Sequence, residues 1–465
     1  MTMTDEHLAV QASRRPGAPG WWRDAIGVAT WLSMLIVLAL WVEDGQARQF
    51  GSATAALTSL GRLTGLVAAD LLLIQVLLMA RIPIVERAYG QDELARRHRL
   101  VGFWSVNLMV VHVVLITLGY IGVDSGNVFV EFWDLVVNYP GMLIALAGTV
   151  LLIMVAATSV RKARRKLRYE SWHLLHLYAY LGVGLALPHQ LWSGQDFLSH
   201  GVATVYWWSL WIAATGAILI WRIGFPVYRT FRHDLRVTDV VRESPDTVSV
   251  WMRGRHLDRL PVAAGQFFSW RFLSGPGWSR AHPYSLSAAP TRDRLRITVK
   301  DLGDQSRELA HLRPGTRVAI EGPYGRLHSG ARTRPQVTLV ASGIGITPVR
   351  ALLEDLPARP DDITLIYRAR EESDLVFRTE IESLAATRGI RVFYVLGRRR
   401  PDRHSWVPSV AGDVSDAEAL LQLVPGIADQ DVYVCGADAW MDAVRAAALE
   451  AGVPARRIHE ERFRW

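Results

Sequence analysis

Four histidines lie in apolar segments, where a polar side chain is costly. His98 and His112 are fourteen residues apart in one segment, and His176 and His189 are thirteen apart in another. At about 1.5 Å of rise per residue, these separations correspond to about 21 and 20 Å along a helix. A buried imidazole needs a hydrogen bond or a metal, and matched separations place two pairs at two depths. The spacing predicts bis-imidazole ligation of two stacked b-type haems, by His98 with His176 and by His112 with His189.

The second histidine segment leaves a geometric question open. Fourteen residues bring two side chains to within about 40° on a helical wheel, whereas thirteen leave them about 140° apart. Pro188, with two glycines nearby, can bend that helix. His173 would lie about 24 Å from His189, which is a poorer match, so we favour His176 as the ligand.

Asp70 is the other ionisable residue deep in an apolar segment, in LVAADLLLIQVLL. A residue of this kind either relays protons or makes a polar contact to a neighbouring helix. The sequence alone favours the structural contact.

Six apolar segments in the first half of the chain are each close to the twenty or so residues that cross a bilayer. They cover approximately residues 24–42, 61–80, 98–120, 139–160, 170–189 and 203–223. Arginine and lysine are concentrated in alternate gaps, and the other gaps are acidic. The positive-inside rule then predicts a multi-pass protein of the cell membrane with both termini in the cytoplasm. Residues 1–23 are expected to form a flexible tail, followed by a helix that is retained.

The composition favours a membrane setting. The 465 residues carry a net charge of +8 and a pI of about 9.8, although half of them are hydrophobic. Because the basic residues lie beside apolar segments, they indicate a membrane surface and no nucleic-acid partner. The single cysteine, Cys435, excludes an internal disulfide and an iron–sulfur cluster. Redox chemistry therefore requires another cofactor.

The second half of the chain has a different pattern. From residue 234, short alternating strands such as TVSVWMRG and RLRITVKD are separated by turns, as in an antiparallel β-barrel. From residue 334, strands alternate with helices, which is typical of a parallel sheet. The predicted fold is multidomain: a six-helix transmembrane bundle at 24–230, an antiparallel barrel at 234–333 and an α/β nucleotide-binding domain at 334–465.

Residues 282–285, HPYS, resemble the flavin-binding strand of the ferredoxin–NADP reductase superfamily. They match the H-P-[FY]-[ST] pattern of its transmembrane branch, the NADPH oxidases and ferric reductases. The resemblance implies that Tyr284 lies against the isoalloxazine of FAD and that Ser285 lies near flavin N5. His282 and Pro283 complete this part of the site, and 234–333 becomes the FAD-binding domain.

Residues 303–306, GDQS, are similar to the Gly-x-x-Ser/Thr segment that binds the FAD pyrophosphate in that superfamily. The residues implied are Gly303, Gln305 and Ser306. A phosphate needs glycine for close approach and N–H donors at a helix start, and Ser306 begins the helical stretch SRELAHL.

A strand, a glycine turn and a helix follow one another in LVASGIGITPVRALL, residues 339–353. A helix N-terminus in this position is a site for a pyrophosphate. The turn resembles the nicotinamide-nucleotide motif of the superfamily, G-G-x-G-x-x-P, with Ser342 in place of the first glycine. The resemblance implies that 334–465 binds NAD(P) through Gly343, Gly345, Thr347 and Pro348.

Three further segments are assigned by the resemblance. Cys435 and Gly436, in DVYVCGADAWMDAV, match a C-G-x-x-x-x-M segment beside the nicotinamide. Trp465 stands where the family has an aromatic residue that shields the flavin until nicotinamide displaces it. Arg368 or Arg370 can pair with a 2′-phosphate, which favours NADPH over NADH. The residues expected to act in catalysis are Ser285, Cys435 and Trp465.

The ferric-reductase resemblance extends to the six-helix segment, since that family has the same histidine spacings. It implies that NAD(P)H gives a hydride to FAD, and that single electrons then pass through the inner and the outer haem. The acceptor beyond the membrane would be O₂, giving superoxide, or ferric iron. Two alternatives stay open: a reductase serving a quinone or a periplasmic partner protein, and a six-helix transporter with a vestigial sensor domain.

Overall fold

The computed structural model divides the chain into two compact units, Ala18–Ile223 and Gly224–Trp465. It describes residues 21–124, 127–164, 166–167, 169–194, 198, 201–275, 278, 280–357, 359–400 and 404–462. The first unit is helical and the second contains both β-sheets. The domain limits given above, including the flexible tail, stay predictions.

The first unit consists of helices of very different lengths. They are α1 (Trp21–Glu43), α2 (Ala53–Met79), α3 (Pro83–Tyr89), α4 (Gln91–Asp124), α5 (Val128–Asn138), α6 (Met142–Ser159), α7 (Arg161–Arg164), α8 (Tyr169–Trp192) and α9 (Gly201–Ala217), followed by a π-helical stretch at Ile218–Gly224. The side chain of Ser52 caps α2 by accepting a hydrogen bond from the Ala55 amide at 3.2 Å. Such caps and the apolar length of the helices explain why these segments are helical.

Within the described part of the chain, five helical segments are long and apolar enough to cross a membrane. They are Trp21–Glu43, Ala53–Met79, Glu93–Ile121, Met142–Ser159 and Gly201–His233. The helix α8 is also long, but three histidines and a proline make it less apolar than these five. A helical first half is therefore confirmed, and the number of six crossings stays a prediction.

Glycines allow the histidine-bearing helices to approach their neighbours closely. A Cβ atom on Gly65 of α2 would lie 2.5 Å from the His112 ring of α4. In the same way, a Cβ on Gly148 of α6 would lie 2.7 Å from the Gly182 carbonyl oxygen of α8. Small residues at helix contacts of this kind are typical of membrane bundles, in which packing replaces the hydrophobic effect. The positions of α4 and α8 thus depend on residues that lack side chains.

The second unit begins with α10 (Phe225–His233) and continues into an antiparallel sheet. Its strands are β1 (Leu235–Ser244), β2 (Thr247–Arg253), β3 (Phe267–Phe272), β4 (His282–Ser285), β5 (Arg294–Lys300) and β6 (Arg317–Tyr324), with the short helix α11 (Asp304–Glu308) before β6. The strand order is β4-β3-β6-β1-β2-β5. A single bridge between Leu286 and Ile297 links the two edges of this sheet. Phe268 and Trp270 are fully buried in its core.

A parallel sheet follows, covered by helices. The strands are β7 (Val337–Ser342), β8 (Ile363–Ala369), β9 (Arg391–Leu396), β10 (Asp431–Cys435) and β11 (Ile458–Glu461), in the order β11-β10-β7-β8-β9. The helices are α12 (Ile346–Asp355), α13 (Arg378–Arg388), α14 (Asp416–Leu423) and α15 (Asp438–Glu450). Every strand pair in this sheet is parallel. The predicted succession of an antiparallel sheet and an α/β domain is confirmed.

A cluster of charged and polar residues, which we call the Arg296 cluster, joins the two sheets. It consists of Arg296 and Ser287 from the antiparallel region and Arg350 and Glu380 from the α/β region. The Arg296 guanidinium donates to both Glu380 carboxylate oxygens, at 2.8 and 3.0 Å, and to the Ser287 carbonyl at 2.7 Å. Arg350 forms an ion pair with Glu380 at 2.7 Å. Burial acts to raise the pKa of Glu380, but the two arginines outweigh it and hold that pKa below its ordinary value.

We predict that Glu380→Gln lowers the free energy of unfolding of the second unit by about 2–3 kcal/mol, because it leaves the guanidinium of Arg296 buried without a counter-charge. The side chain of Arg296 is only 2% exposed. Since the pKa of Glu380 is lowered, its contribution is present above the ordinary glutamate range and is lost as the pH falls through the folded pKa. Urea denaturation followed by amide hydrogen exchange in β5 and β8 measures both effects.

Glu382→Gln is the matched control. Glu382 lies on the same helix and pairs with Arg378 at 2.8 Å, but both side chains are largely exposed. An exposed pair of this kind contributes less than about 1 kcal/mol. Equal losses in the two variants would show that the Arg296 cluster does not hold the sheets together.

Candidate functional site

The structure places the four histidines in two pairs. His98 and His112 lie on α4, and His176 and His189 lie on α8. The ring centroids of His98 and His176 are 5.8 Å apart, and those of His112 and His189 are 6.3 Å apart. These are the same pairs that the spacing indicated. His173 lies outside both pairs, with its ring 6.5 Å from that of Trp172.

Backbone carbonyl groups of α2 orient the two histidines of α4. The His112 Nδ1 atom is 2.7 Å from the Gly61 carbonyl oxygen, and His98 Nδ1 is 3.4 Å from that of Gln75. An imidazole that donates through Nδ1–H keeps its lone pair on Nε2, which is the atom that binds a metal. The contacts with α2 therefore select the metal-binding tautomer of both rings.

The histidines of α8 have less uniform surroundings. His176 Nδ1 lies 3.2 Å from the Ser159 hydroxyl, and its ring packs 5.0 Å from the ring of Trp172. His189 Nδ1 is buried and has no hydrogen-bond partner among the described residues. A buried ring nitrogen without a partner is costly, and in contrast to the histidines of α4 the tautomer of His189 is not fixed by a hydrogen bond among these residues.

The distance within each pair would allow both imidazoles to bind one metal ion. A metal bound at about 2 Å by the nitrogen atoms of two opposed imidazoles separates the ring centroids by about 6 Å, which both pairs satisfy. Within the described residues, no group of three or more histidine, cysteine, aspartate or glutamate side chains is placed to hold a metal ion. A donor set of two neutral imidazoles at each level suits a haem, whose porphyrin supplies the other ligands.

The HPYS segment forms β4, at one edge of the antiparallel sheet. The rings of His282 and Tyr284 stack with centroids 6.1 Å apart, and Pro283 lies between them in the strand. The Trp270 indole N–H donates to the Tyr284 carbonyl at 2.8 Å and fixes the backbone of the strand. Burial raises the pKa of Tyr284 to about 12, so its phenol stays neutral. An edge strand with two ring side chains offers a stacking surface for a flat cofactor.

Ser285 is the last residue of this strand, and its hydroxyl oxygen is a buried polar atom without a hydrogen bond. The residue is 4% exposed, and its hydroxyl has no hydrogen-bond partner among the described residues. By contrast, the Ser287 hydroxyl accepts hydrogen bonds from Arg296 at 3.1 Å and from Thr298 at 2.7 Å. A buried hydroxyl without a partner costs free energy, so the Ser285 hydroxyl is suited to a ligand atom.

The GDQS segment forms a turn at the start of α11. The Ser306 hydroxyl accepts hydrogen bonds from the amides of Leu302 at 2.9 Å and Gly303 at 3.1 Å. Gly303 is exposed and a Cβ there would meet no atom within 4 Å. The Ser306 hydroxyl thus occupies N–H groups at the turn where the resemblance places the pyrophosphate. The side chain of Gln305 lies outside the described residues.

The glycine turn between β7 and α12 lies beside the end of β10. Gly343 has a φ of +53°, and a Cβ there would meet no atom within 4 Å. A Cβ on Gly345 would overlap the Cys435 carbonyl group and lie 2.8 Å from the Gly436 nitrogen. The two motifs therefore meet at one edge of the parallel sheet, where nucleotides bind in folds of this type.

Thr347 and Pro348 form the first turn of α12 and are buried. The Thr347 hydroxyl donates to the Ile344 carbonyl at 3.0 Å, which stabilises the turn and leaves the helix N-terminus facing the glycines. The positive end of the helix dipole favours an anionic group at this position.

The thiol of Cys435 has no exposed surface. It donates to the Glu461 carbonyl at 3.7 Å, and burial raises the pKa of the thiol well above its ordinary value. In this arrangement the backbone of Cys435, and not its sulfur, borders the glycine turn. Trp465, the third residue expected in catalysis, lies outside the described residues.

The two candidate arginines for a 2′-phosphate differ in exposure. Arg368 is 5% exposed, and its guanidinium donates to the backbone carbonyl groups of Gly397 at 2.7 Å and Val395 at 3.3 Å. Burial lowers the pKa of Arg368. These hydrogen bonds engage donors of Arg368 within the protein, whereas Arg370 is exposed. The pairing of Arg368 or Arg370 with a 2′-phosphate stays a prediction.

Sequence reasoning missed the groups that orient the histidines. Gly61 and Gln75 contribute backbone carbonyls, which any residue has, and Ser159 is an ordinary helix residue in the sequence. The signal that was available is the pair Gly61 and Gly65, four residues apart in an apolar segment, since such spacing indicates close helix contact.

Comparison with known proteins agrees with this geometry. Residues 64–187 match the family described as ferric reductase like transmembrane component, and residues 339–446 match the oxidoreductase NAD-binding domain. The ferredoxin reductase component of 3-ketosteroid-9-alpha-monooxygenase from Mycobacterium tuberculosis is 32% identical over 214 residues, which are 44% of this chain and 56% of that protein. The chain thus spans little more than half the length of this relative.

Two further matches concern the second unit. Ferredoxin–NADP reductase B from Sorangium cellulosum is 31% identical over 207 residues, which are 43% of this chain and 84% of that protein. The solved FAD/NAD-binding domain of nitric oxide dioxygenase from Vibrio cholerae is 27% identical, with a TM-score of 0.41, over 50% of this chain and 98% of that one.

A helical membrane unit followed by a flavin- and nicotinamide-nucleotide-binding unit defines a membrane-bound electron-transfer oxidoreductase. The chain belongs to the ferredoxin–NADP reductase family through its second half, and it carries a ferric-reductase-like transmembrane component in its first half. FAD and NAD(P)H are accordingly its cofactors.

We predict that Gly345→Ala weakens NADPH binding about tenfold or more, because its new methyl group overlaps the Cys435 carbonyl and moves the turn. Titration of the full-length protein with NADPH, followed by calorimetry, measures the effect. Gly426→Ala is the control, since a Cβ there would have no neighbour closer than 4.0 Å. Unchanged NADPH affinity in Gly345→Ala would exclude this turn from the nucleotide site.

Proposed function

We propose that this protein carries electrons across the cell membrane, from cytoplasmic NAD(P)H through FAD and two b-type haems to an acceptor on the other side. The acceptor is O₂, giving superoxide, or ferric iron. The topology we propose has six crossings, with α8 as one of them, and both termini in the cytoplasm. The domain limits are those predicted from the sequence, with the antiparallel sheet closed into a barrel through the Leu286–Ile297 bridge.

The observation that carries this proposal is the pairing of histidines on α4 and α8. Two pairs with ring centroids 5.8 and 6.3 Å apart lie at two levels of an apolar unit. Packing alone would not require both rings of α4 to donate to backbone carbonyl groups of α2. The proposed iron ligands are His98 with His176 at the inner level and His112 with His189 at the outer level.

Each cofactor supplies what the side chains lack: flavin exchanges a hydride for single electrons, and haem iron carries single electrons. The protein binds and orients them. Tyr284 and His282 offer stacked rings to the isoalloxazine, and the unpaired Ser285 hydroxyl offers a hydrogen bond to flavin N5. The turn at Gly343 and Gly345, with the N-terminus of α12, receives the NAD(P) pyrophosphate.

The remaining assignments also rest on the resemblance. The turn at Gly303 and Ser306 receives the FAD pyrophosphate when the Ser306 hydroxyl gives up its contacts to the backbone amides. Cys435 and Gly436 border the nicotinamide through their backbone. Arg368 or Arg370 contacts the 2′-phosphate of NADPH, and Trp465 covers the flavin in the absence of nucleotide.

The acceptor can be identified directly. Full-length protein in sealed vesicles, with NADPH on the cytoplasmic side, is assayed for superoxide and for ferrous iron on the opposite side. If NADPH oxidation yields neither product but proceeds when a quinone is added, the acceptor is a quinone and not O₂ or ferric iron. Absence of any haem absorption band in the purified protein would refute the haem pathway altogether.

We predict that purified protein contains about two haems per chain and that His112→Ala or His189→Ala reduces this to about one, because each variant would remove one of the two histidines that would hold the outer haem. Flavin reduction by NADPH should be largely retained. Haem content is measured by the pyridine haemochrome assay.

His173→Ala is the matched control for these variants. It removes a histidine from the same helix as His189, but one that lies outside both pairs. If His173→Ala lowers haem content as much as His189→Ala does, the ligand assignment on α8 is wrong.

We predict that Ser285→Ala slows hydride transfer to the flavin about 10- to 100-fold, because it removes a hydrogen bond that acts on N5 during transfer. Its effect on folding stability should be small, since the hydroxyl has no hydrogen-bond partner among the described residues. Stopped-flow reduction of the flavin by NADPH and thermal unfolding measure the two properties.

Ser287→Ala should behave in the opposite way. Its hydroxyl binds Arg296 and Thr298, so the variant should lose about 1 kcal/mol of stability or more and retain fast hydride transfer. A slow flavin reduction in Ser287→Ala with a normal rate in Ser285→Ala would reverse the two assignments.

A further inference from the structure

A buried polar cluster lies in the helical unit, apart from the four histidines. It consists of Ser33 on α1, Asp70 on α2 and Tyr206 on α9. Asp70 has no exposed surface. Its Oδ1 atom is 2.7 Å from the Ser33 hydroxyl and 2.6 Å from the Tyr206 hydroxyl, and the two hydroxyl oxygens are 2.8 Å apart. The three oxygen atoms thus form a closed ring that joins three helices.

The number of hydrogen atoms in this ring indicates whether the carboxyl group of Asp70 is protonated or ionised. Three contacts of hydrogen-bond length require three hydrogen atoms, and the two hydroxyl groups supply two. An ionised carboxylate only accepts, so two hydroxyls that both donate to it leave their own 2.8 Å contact without a hydrogen. A protonated carboxyl supplies the third hydrogen and completes the ring, with each group donating to the next.

The other carboxyl oxygen agrees with a neutral acid. Asp70 Oδ2 is buried and receives no hydrogen bond from the described residues. In the described part of the chain, the hydrogen bonds between Asp70 and helices α1 and α9 are those of the Ser33 and Tyr206 hydroxyl groups, of which Tyr206 is the titratable one. A negative charge in such surroundings would lack a counter-ion, whereas the carbonyl oxygen of a neutral acid is tolerated more easily.

Asp70 also has a defined position relative to the histidine pairs. On α2, Gly65 packs against the ring of His112 and the Gln75 carbonyl faces the ring of His98. Asp70 is five residues from each of these two positions, which corresponds to about 7.5 Å along the helix. Nine residues separate it from Gly61, so it points about 180° away from the contact with α4.

We propose that Ser33, Asp70 and Tyr206 form a proton-binding site, midway in depth between the two histidine pairs, with the proton on Asp70 at neutral pH. The ligand is a proton, the binding group is the Asp70 carboxyl, and the two hydroxyls hold the bound proton in the ring. A neutral acid places an exchangeable proton at this depth without adding charge to the membrane unit. This proposal does not depend on haem.

Infrared spectroscopy of the full-length protein in lipid nanodiscs at neutral pH tests the proposal, because only a protonated carboxyl has an acid C=O stretching band. We expect such a band in the wild type and its loss in Asp70→Asn, by the intensity of one carboxyl per chain. Glu131→Gln is the control: Glu131 is a buried acid of the same unit, 1% exposed, and the Asp70 band should persist in that variant.

Tyr206→Phe keeps the test decisive if Asp70→Asn fails to fold. This variant retains the acid and removes one hydroxyl of the ring, so the band of a protonated Asp70 should shift in frequency. If neither Asp70→Asn nor Tyr206→Phe changes the acid C=O region, Asp70 is a carboxylate and the proposal is overturned. The haem assays above are unaffected by either result.

Discussion

The close approach of α2 and α4 depends on two glycines of α2, which have no side chain. Gly65 leaves room for the His112 ring and Gly61 for Ile116, so the ring reaches the backbone of α2 and its Nδ1 lies 2.7 Å from a carbonyl oxygen. That carbonyl already belongs to a helix, and its second lone pair accepts the imidazole. In a bilayer no water can substitute for such a contact. Two glycines on one helix therefore determine which nitrogen of a histidine on another helix carries the hydrogen and which keeps its lone pair.

Much of this arrangement follows from sequence because it depends on periodicity. The fourteen-residue spacing on α4 and the alternation of strands with helices from residue 334 each reflect a fixed repeat of backbone geometry. The thirteen-residue spacing on α8 did not show how both rings reach their partners. The structure places Pro188 inside this helix, where a missing N–H allows the helix to bend. How the rings of α8 reach their partners depends on packing between helices, which the spacing of residues along one helix does not specify.

The second unit shows a different difficulty, since residue type alone does not decide the role of a charged side chain there. Arg368 lies near the end of β8, where the sequence predicts an arginine that meets a phosphate, and its guanidinium donates to three backbone carbonyl groups. Asp431 is fully buried and accepts hydrogen bonds from the amides of Thr333 and Arg334 and from His459 at 2.9 Å. A buried charge must be paired wherever it occurs. Only the tertiary structure distinguishes such internal pairing from groups that await a ligand.

The position of Cys435 determines how the protein withstands oxidants. Thiols react with peroxides and alkylating reagents as thiolates, and they must be reached from solvent. The one cysteine of the chain has no exposed surface, and its raised pKa keeps it in the unreactive form. Oxidative inactivation through sulfur is therefore limited to methionine. The native chain is also, in effect, a cysteine-free background, so that a single cysteine introduced at the surface can be labelled selectively without first removing the natural one.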